Sequence, residues 1–284
     1  MHTDSTFNAA AQAVLTSPSS GSTFAGPSAT FQWTPVSGAN SYTLWLGTTG
    51  VGSNNLWGSG ATTVNSITFG ALPTNGKTIY ARLFTALNGG SVHADYTFTA
   101  ASQAFMTSPA QGFTFTGPST TFQWTNASEP ATYDIWMGST GVGSNNLWSS
   151  GSTTATSVTF GSLPTNGETI YLRLWTKLNG FSLFADYTYT AAAEATMISP
   201  TQGSAFTGSS QMFTWTAVTG ATKYDVWVGS TGVGSNNLGG SGGTTSTSWT
   251  AGGLPTNGET IYVRLFTYYA GGSSHVDYSY LAAP

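Results

Sequence analysis

The chain repeats itself with a constant period of 91 residues, marked by a tryptophan at Trp33, Trp124 and Trp215. No insertion or deletion breaks this register from one end of the sequence to the other. A unit of this size can bury its own core, whereas the roughly 20–45-residue units of solenoids must stack on one another to do so. The period therefore predicts three sequential domains of one kind.

The same period sets the expected boundaries. We expect a short segment at 1–13 and repeats at 14–104, 105–195 and 196–284. Alanine-rich linkers, AASQA at 100–104 and AAAEA at 191–195, join the repeats. Because these linkers contain neither glycine runs nor proline, we expect them to hold neighbouring repeats in a semi-rigid rod.

The composition is poor in charge and rich in aromatic residues. Only 6% of the residues are charged, against roughly 25% in an average globular protein, while 14% are aromatic. This mixture argues against disorder, which needs few aromatic residues and much charge. A net charge of −4 with six basic residues gives no basic surface for nucleic acid or anionic lipid. No apolar stretch is long enough for a membrane span, and the absence of cysteine excludes disulfides.

Within one repeat the hydrophobic pattern has the period of a β-strand. In ATFQW, Phe31 and Trp33 alternate with polar neighbours, and in NSYTLWLG the residues Tyr42, Leu44 and Leu46 share one face. About seven such short segments alternate with Gly, Asn and Pro turns, and no stretch sustains a helical period. The pattern predicts an all-β sandwich.

Three segments resemble the fibronectin type III family and its bacterial Ig-like relatives: FQWTPVSGANSYTLWLG, LPTNGKTIYARL and a final DYTFT. That family places a core tryptophan in its second strand, matching Trp33, and a tyrosine at the start of the third, matching Tyr42. It also has a Leu-Pro turn before a tyrosine of the sixth strand, matching Leu72, Pro73 and Tyr80. The resemblance implies three tandem seven-stranded sandwiches, and it implies little about a ligand.

A glycine-rich loop is written three times, as GTTGVGSNNLW at 47–57, GSTGVGSNNLW at 138–148 and GSTGVGSNNLG at 229–239. It lacks the GxGxxG spacing, the P-loop lysine and the following helix that phosphate binding needs. Glycine permits positive φ, and paired asparagines cap turns through their side chains. We therefore expect a structural turn that leads out of the third strand.

The main candidate site is the outward face of the third, sixth and seventh strands. Trp45 alternates against the inward residues of its strand, and Arg82 and Asp95 are expected on the same outward face. One interpretation is a cross-strand Arg82–Asp95 pair with the guanidinium over the Trp45 ring. The other is an aromatic platform, continued by Phe84, for sugar rings or another protein chain. The equivalent residues are Trp136, Arg173, Trp175 and Asp186 in the second repeat, and Trp227, Arg264, Phe266 and Asp277 in the third.

A second candidate is the tryptophan that follows the loop, Trp57 in the first repeat and Trp148 in the second. The third repeat has Gly239 there, so binding through this position would be lost. The same repeat has Trp249 and Ala251 in place of an aliphatic residue and a phenylalanine, which we interpret as compensated repacking of the core.

The first residues match the last strand of a repeat. His2, Asp4, Thr6 and Phe7 align with His93, Asp95, Thr97 and Phe98 when shifted by one period. Segment 1–8 is then either part of a longer array or a free strand that adds to a neighbouring molecule. The segment lacks the basic and apolar regions of a signal peptide, so we expect no leader within it.

Catalytic and metal-binding patterns are weak. His93 and His275 share a position, but Phe184 stands there in the second repeat and no nucleophile motif accompanies them. No cluster has metal-ligand spacing. We expect no enzyme and no cofactor.

The leading hypothesis is a non-enzymatic extracellular bacterial protein, a surface stalk, adhesin segment or filament subunit. Two alternatives stay open: a carbohydrate-binding array that uses the outward tryptophans, and a spacer cut from a larger secreted protein. The expected partners are copies of the chain itself or a surface polysaccharide or protein.

Overall fold

A computed structural model describes residues 11–128 and 130–284, and their regular secondary structure consists of 21 strands, seven in each repeat. The first repeat contains β1 (Leu15–Ser17), β2 (Ala29–Trp33), β3 (Ala39–Gly47), β4 (Trp57–Gly58), β5 (Ser66–Phe69), β6 (Thr78–Leu87) and β7 (Gly90–Thr99). The second contains β8 (Met106–Ser108), β9 (Thr120–Trp124), β10 (Ala131–Gly138), β11 (Trp148–Ser149), β12 (Ser157–Phe160), β13 (Thr169–Leu178) and β14 (Phe181–Thr190). The third contains β15 (Met197–Ser199), β16 (Ser210–Trp215), β17 (Lys223–Gly229), β18 (Gly239–Gly240), β19 (Ser248–Gly252), β20 (Thr260–Tyr269) and β21 (Gly272–Leu281).

Each repeat folds into two antiparallel sheets. In the first, a three-stranded sheet has the order β1-β2-β5 and a four-stranded sheet the order β4-β3-β6-β7. The other repeats have the same two sheets, β8-β9-β12 with β11-β10-β13-β14 and β15-β16-β19 with β18-β17-β20-β21. This confirms the prediction of an all-β chain of tandem Ig-like and fibronectin III-like sandwiches.

Aromatic side chains fill the space between the sheets. Phe24, Phe31 and Phe98 pack against one another with ring centroids 5.0–5.9 Å apart. Trp33 packs against Tyr42 at 5.8 Å, and both are buried. These rings alternate with polar residues along each strand, so they lie on one face of each sheet. Burying them removes apolar surface from water, and the two sheets therefore pack face to face. The predicted inward positions are therefore confirmed.

A buried threonine on the sixth strand of each repeat fixes the entering chain. The hydroxyl of Thr85 accepts a hydrogen bond of 2.9 Å from the backbone N–H of Ala13. Thr176 and Thr267 do the same for Ala104 and Ala195, at 3.1 and 2.8 Å. A buried hydroxyl needs such a partner, so the alanine at the end of each linker is anchored within the repeat that follows it.

The strand predicted for segment 1–8, with His2, Asp4, Thr6 and Phe7, lies outside the described residues. Among the residues that are described, no helix is long and apolar enough to cross a membrane.

Candidate functional site

Strand register brings the predicted outward residues into one row. Across β4, β3, β6 and β7, Gly58 pairs with Trp45, Trp45 with Arg82, and Arg82 with Asp95. The four strands are extended and adjacent, so these side chains leave the sheet side by side. The second and third repeats have the same row, Ser149–Trp136–Arg173–Asp186 and Gly240–Trp227–Arg264–Asp277.

The arginine and the aspartate form a two-point ion pair in every repeat. Arg82 Nε donates to Asp95 Oδ1 at 2.7 Å and its Nη2 donates to Oδ2 at 2.8 Å. The distances are identical for Arg173–Asp186 and Arg264–Asp277. Hydrogen bonds from the guanidinium lower the pKa of Asp95 and Asp277 and raise that of each arginine.

The thrice-written loop covers this ion pair. Gly52 has φ of +80°, and a Cβ built on it would lie only 2.8 Å from Nη1 of Arg82. The same holds for Gly143 beside Arg173 and for Gly234 beside Arg264. Within the loop, Asn55 Oδ1 accepts from Thr48 N at 2.9 Å. The loop is thus the expected structural turn, and one of its glycines lets backbone lie flat on a guanidinium.

The ring beneath the guanidinium is not the predicted one. The sequence interpretation placed Arg82 over Trp45, whereas its Cζ lies 6.0 Å from the ring centroid of Phe84. In the second repeat Arg173 lies 5.4 Å from Trp175 and 3.9 Å from Phe184. The reason is that Asp95 pulls the guanidinium toward β7, away from the strand that carries Trp45.

A second row lies two residues along β6 and β7, where Phe84 pairs with His93, and Trp45 of the first row packs against it. Trp45 packs edge-to-face on Phe84, with centroids 4.7 Å apart, and Phe84 contacts His93 at 5.6 Å. In the second repeat the corresponding rings are Trp136, Trp175 and Phe184. The two rows therefore form one partly exposed surface, which we call the outer face.

In the second repeat the outer face contains a cavity of about 240 Å³. Its lining residues are Asp134, Trp136, Trp175, Lys177 and Ser182. Trp136 and Trp175 were predicted for this face, whereas Asp134, Lys177 and Ser182 were not singled out. The alternation of side chains along a strand could have identified two of them. Asp134 and Lys177 lie two residues from Trp136 and Trp175, and therefore on the same outward face.

The tryptophan that follows the loop packs at the edge of the core. Trp57 stacks on Phe69 at 5.0 Å and Trp148 on Phe160 at 4.9 Å, and all four pack against the core. In the third repeat both partners are missing, and Trp249 stacks on Phe213 at 6.3 Å instead. Each Trp–Phe pair closes the gap between the fourth and fifth strands, at one side of the sandwich.

The described residues present little catalytic chemistry. No group of three or more His, Asp or Glu among them could hold a metal ion. The histidines of the outer face lie 3.9 Å from Asp95 and Asp277, whose carboxylates are already held by arginine. The arrangement offers flat apolar rings with polar groups at their edges, which suits binding better than catalysis.

Comparisons with protein-family profiles and with curated proteins returned no match. Solved structures with similar folds are tandem Ig and fibronectin III domains. The chicken CNTN1 FN1–FN3 domains are 9% identical, with 91% of this chain and 95% of that chain covered and a TM-score of 0.30. The three N-terminal domains of the bacteriophage RB49 outer capsid protein Hoc are 11% identical, with 96% and 98% covered and a TM-score of 0.31. The fibronectin(III)-like modules of Clostridium thermocellum CbhA are 12% identical, with 64% and 93% covered and a TM-score of 0.25. The strand order within each repeat, rather than these superpositions, identifies the sandwich.

Proposed function

We propose that the chain is a non-enzymatic extracellular stalk segment, in which three sandwiches are held in line to present or space other parts of a surface. The observation that carries this proposal is the hydrogen bonding of the linkers. A flexible tether leaves its backbone to water, whereas these linkers are bonded to the repeats on both sides.

Backbone N–H groups of the first linker donate hydrogen bonds to the first repeat and to the second repeat. Ala100 N donates to Lys77 O at 2.8 Å in the first repeat. Ser102 N donates to Ser128 Oγ at 2.9 Å in the second repeat, and Ser128 N returns a bond of 2.9 Å to Ser102 O. Alanine side chains are small, so the segment fits closely between the two sandwiches; Ala100, Ala101 and Ala104 are buried.

Asn179 and Phe181, at the turn between β13 and β14 and at the start of β14, reach across the same junction. Asn179 Nδ2 donates to Ala25 O at 2.6 Å. The ring of Phe181 lies on Gly26, where a Cβ would be only 2.8 Å from the ring. A glycine therefore forms the socket for an aromatic residue of the next repeat.

The second junction uses the same socket with a different ring. Tyr269 lies against Gly117, and its hydroxyl donates to Ala193 O in the linker at 2.6 Å. Burial raises the pKa of Tyr269, so this hydroxyl keeps its proton and its bond over the physiological range. Two junctions with the same plan support a rod whose repeats keep fixed orientations.

The stiffness can be measured with spin labels at two exposed positions, one in the first repeat and one in the third. We expect a narrow distance distribution in the full chain by pulsed electron spin resonance. A variant with GGSGG in place of AASQA at 100–104 serves as the flexible control and should give a broad one. A distribution in the unmodified chain as broad as that of the control would contradict the stalk.

We also propose that stalk segments assemble into filaments when segment 1–8 of one molecule adds as a strand to another. The last strands β7, β14 and β21 are already paired with β6, β13 and β20, and each lies at the edge of its sheet. An added strand would therefore extend an edge rather than complete a repeat. Electron microscopy over a concentration series should show filaments for the full chain and none after deletion of residues 1–8. Three-lobed single particles at every concentration would contradict assembly.

A carbohydrate-binding array built on Trp45, Trp136 and Trp227 requires three equivalent sites. The first rows are equivalent, but the second rows are not, because the second repeat has Trp175 and Phe184 where the others have phenylalanine and histidine. No observation favours an array of three, and a spacer role predicts neither assembly nor binding.

A further inference from the structure

The outer face of the second repeat has a continuous aromatic wall beside its cavity. The rings of Trp136 and Trp175 meet edge-to-face with centroids 5.2 Å apart, and Trp175 meets Phe184 at 5.2 Å. Phe184 is 47% exposed. The cavity, at about 240 Å³, is smaller than the roughly 300–1,000 Å³ of sites for drug-sized ligands. It has room for one small ring.

Hydrogen-bond acceptors and donors flank these aromatic rings. Asp134 is held in place by Trp136 Nε1, which donates to Oδ2 at 3.0 Å, and by the hydroxyls of Ser149 and Ser150, which donate to Oδ1 at 3.1 Å. Oδ2 therefore keeps capacity for another donor. Lys177 is exposed and forms no ion pair with the described residues, and Ser182 is its cross-strand partner.

The other repeats supply the comparison, because their backbone register is the same. At the positions of Trp175, Lys177 and Phe184, the first repeat has Phe84, Ala86 and His93, and the third has Phe266, Tyr268 and His275. These three changes of the second repeat lie on one patch that includes the cavity. The patch therefore differs in chemistry from the equivalent surfaces of the other two repeats.

Trp175 sets the second repeat apart at this position. Phenylalanine occupies the equivalent position in the other two repeats, as Phe84 and Phe266. The larger indole lies between Trp136 and Phe184, with ring centroids 5.2 Å from each. The second repeat therefore has three contacting aromatic rings beside its cavity.

We propose that this cavity is a subsite for one pyranose ring of a neutral saccharide, present in the second repeat only and independent of the stalk role. The planes of Trp136 and Trp175 are inclined by 66°, so the C–H face of the sugar stacks on one indole and the edge of the sugar contacts the other. One hydroxyl donates to Asp134, and others accept from Lys177 and Ser182. Hydroxyl groups both donate and accept, which the mixed lining requires. The Asp134 carboxylate and the net charge of −4 disfavour an anionic ligand.

The experiment is isothermal titration calorimetry of the full chain, with tryptophan fluorescence alongside. The probes are soluble hexasaccharides of β-1,4-glucose, β-1,4-mannose, β-1,4-xylose and α-1,4-glucose, together with polygalacturonate as the anionic probe. We expect one site per chain for at least one neutral probe. Binding to none of the neutral probes, or to polygalacturonate alone, would overturn the proposal.

Two variants separate binding from folding. W175F/K177A/F184H gives the second repeat the residues of the first, so it should fold, and it should bind the neutral probe at least tenfold more weakly. W175F alone should also weaken binding, with little change in melting temperature, because phenylalanine occupies this position in the other two repeats. Binding by the triple variant equal to that of the unmodified chain would place the ligand elsewhere and overturn the site.

Transplantation provides the reciprocal test. The variant T43D/G58S/F84W/A86K/H93F gives the first repeat the outer face of the second, including the serine that donates to Asp134. We expect the stoichiometry for the same probe to rise from one site to two sites per chain. A stoichiometry that stays at one, with the variant folded by circular dichroism, would show that these residues do not suffice and would overturn the assignment.

Discussion

At Gly143 the backbone φ is +81°, and a Cβ there would lie 3.0 Å from Nη1 of Arg173. A side chain at this position would therefore meet two costs. The positive φ costs an L-residue about 1–2 kcal/mol, and the Cβ would displace the guanidinium of Arg173 from its close contact with the backbone. Gly151 has φ of +67° and no atom near its Cβ position, so a substitution there tests the cost of positive φ alone.

We expect G143A to destabilise the second repeat more than G151A does. G151A should cost about 1–2 kcal/mol for the positive φ. G143A should add about 1–3 kcal/mol for crowding of the guanidinium. Chemical denaturation of both variants gives the two values, and equal losses would show that the loop does not depend on its contact with Arg173.

The ion pairs also determine how stability responds to acid. Arg82 and Arg264 lower the pKa of Asp95 and Asp277 in the folded state. A carboxylate with a lowered folded pKa stabilises the protein above its unfolded pKa of about 3.9, and this contribution is lost as pH falls toward the folded value. Melting temperature should therefore be level from pH 7 to about 5 and fall below about 4.

D277N is the variant that tests this acid dependence. It should melt at a lower temperature than the unmodified chain at pH 7, and the difference should shrink as pH falls below the unfolded pKa toward the lowered folded pKa of Asp277. Thermal melts followed by circular dichroism at each pH give the comparison. A difference that stays constant with pH would mean that the pair does not contribute through its charge.

Among the strands, β6, β13 and β20 do the most to organise each repeat. Their outward faces hold the arginine and the second aromatic row, and their inward faces hold a buried threonine. One strand thus connects the outer face, the core and the incoming linker. A substitution on the inward face of this strand should therefore weaken the hydrogen bond that holds the incoming linker.

T176V tests this connection in the second repeat. Valine has nearly the same shape but cannot accept from Ala104 N, so a buried donor is left unpaired at a cost of about 1–3 kcal/mol. Hydrogen exchange at Ala104 should become faster. T121V serves as the control because the bond of Thr121 to Thr159 is exposed, and it should change stability by less than about 0.5 kcal/mol.

For the whole molecule, the junctions decide whether three sandwiches act as one body. The sockets Gly26 and Gly117 are both covered by an aromatic residue of the following repeat. The rings come from different positions, Phe181 at the start of β14 and Tyr269 at the end of β20. The rod is therefore made of equal units joined by unequal contacts.

F181G replaces the ring at the first junction with the glycine that the other repeats have at this position. Loss of this partly buried ring should weaken the junction by about 1 kcal/mol. Hydrogen exchange should become faster in residues 22–26, while residues 113–117 at the second junction provide the internal reference. Equal protection in both segments would show that Phe181 does not hold the junction.

Sequence by itself determined the number of repeats, the all-β class, the inward and outward faces, and the row of tryptophan, arginine and aspartate. These follow from the period of 91 and from the alternation of residues such as Tyr42, Leu44 and Trp45, which are local along the chain. Tertiary structure alone decided the ring beneath each guanidinium, the stacking of Trp57 on Phe69, the cavity around Trp175 and the glycine sockets. Each of these depends on which residues of distant strands and repeats come within a few ångströms, and a pattern along one strand does not contain that distance.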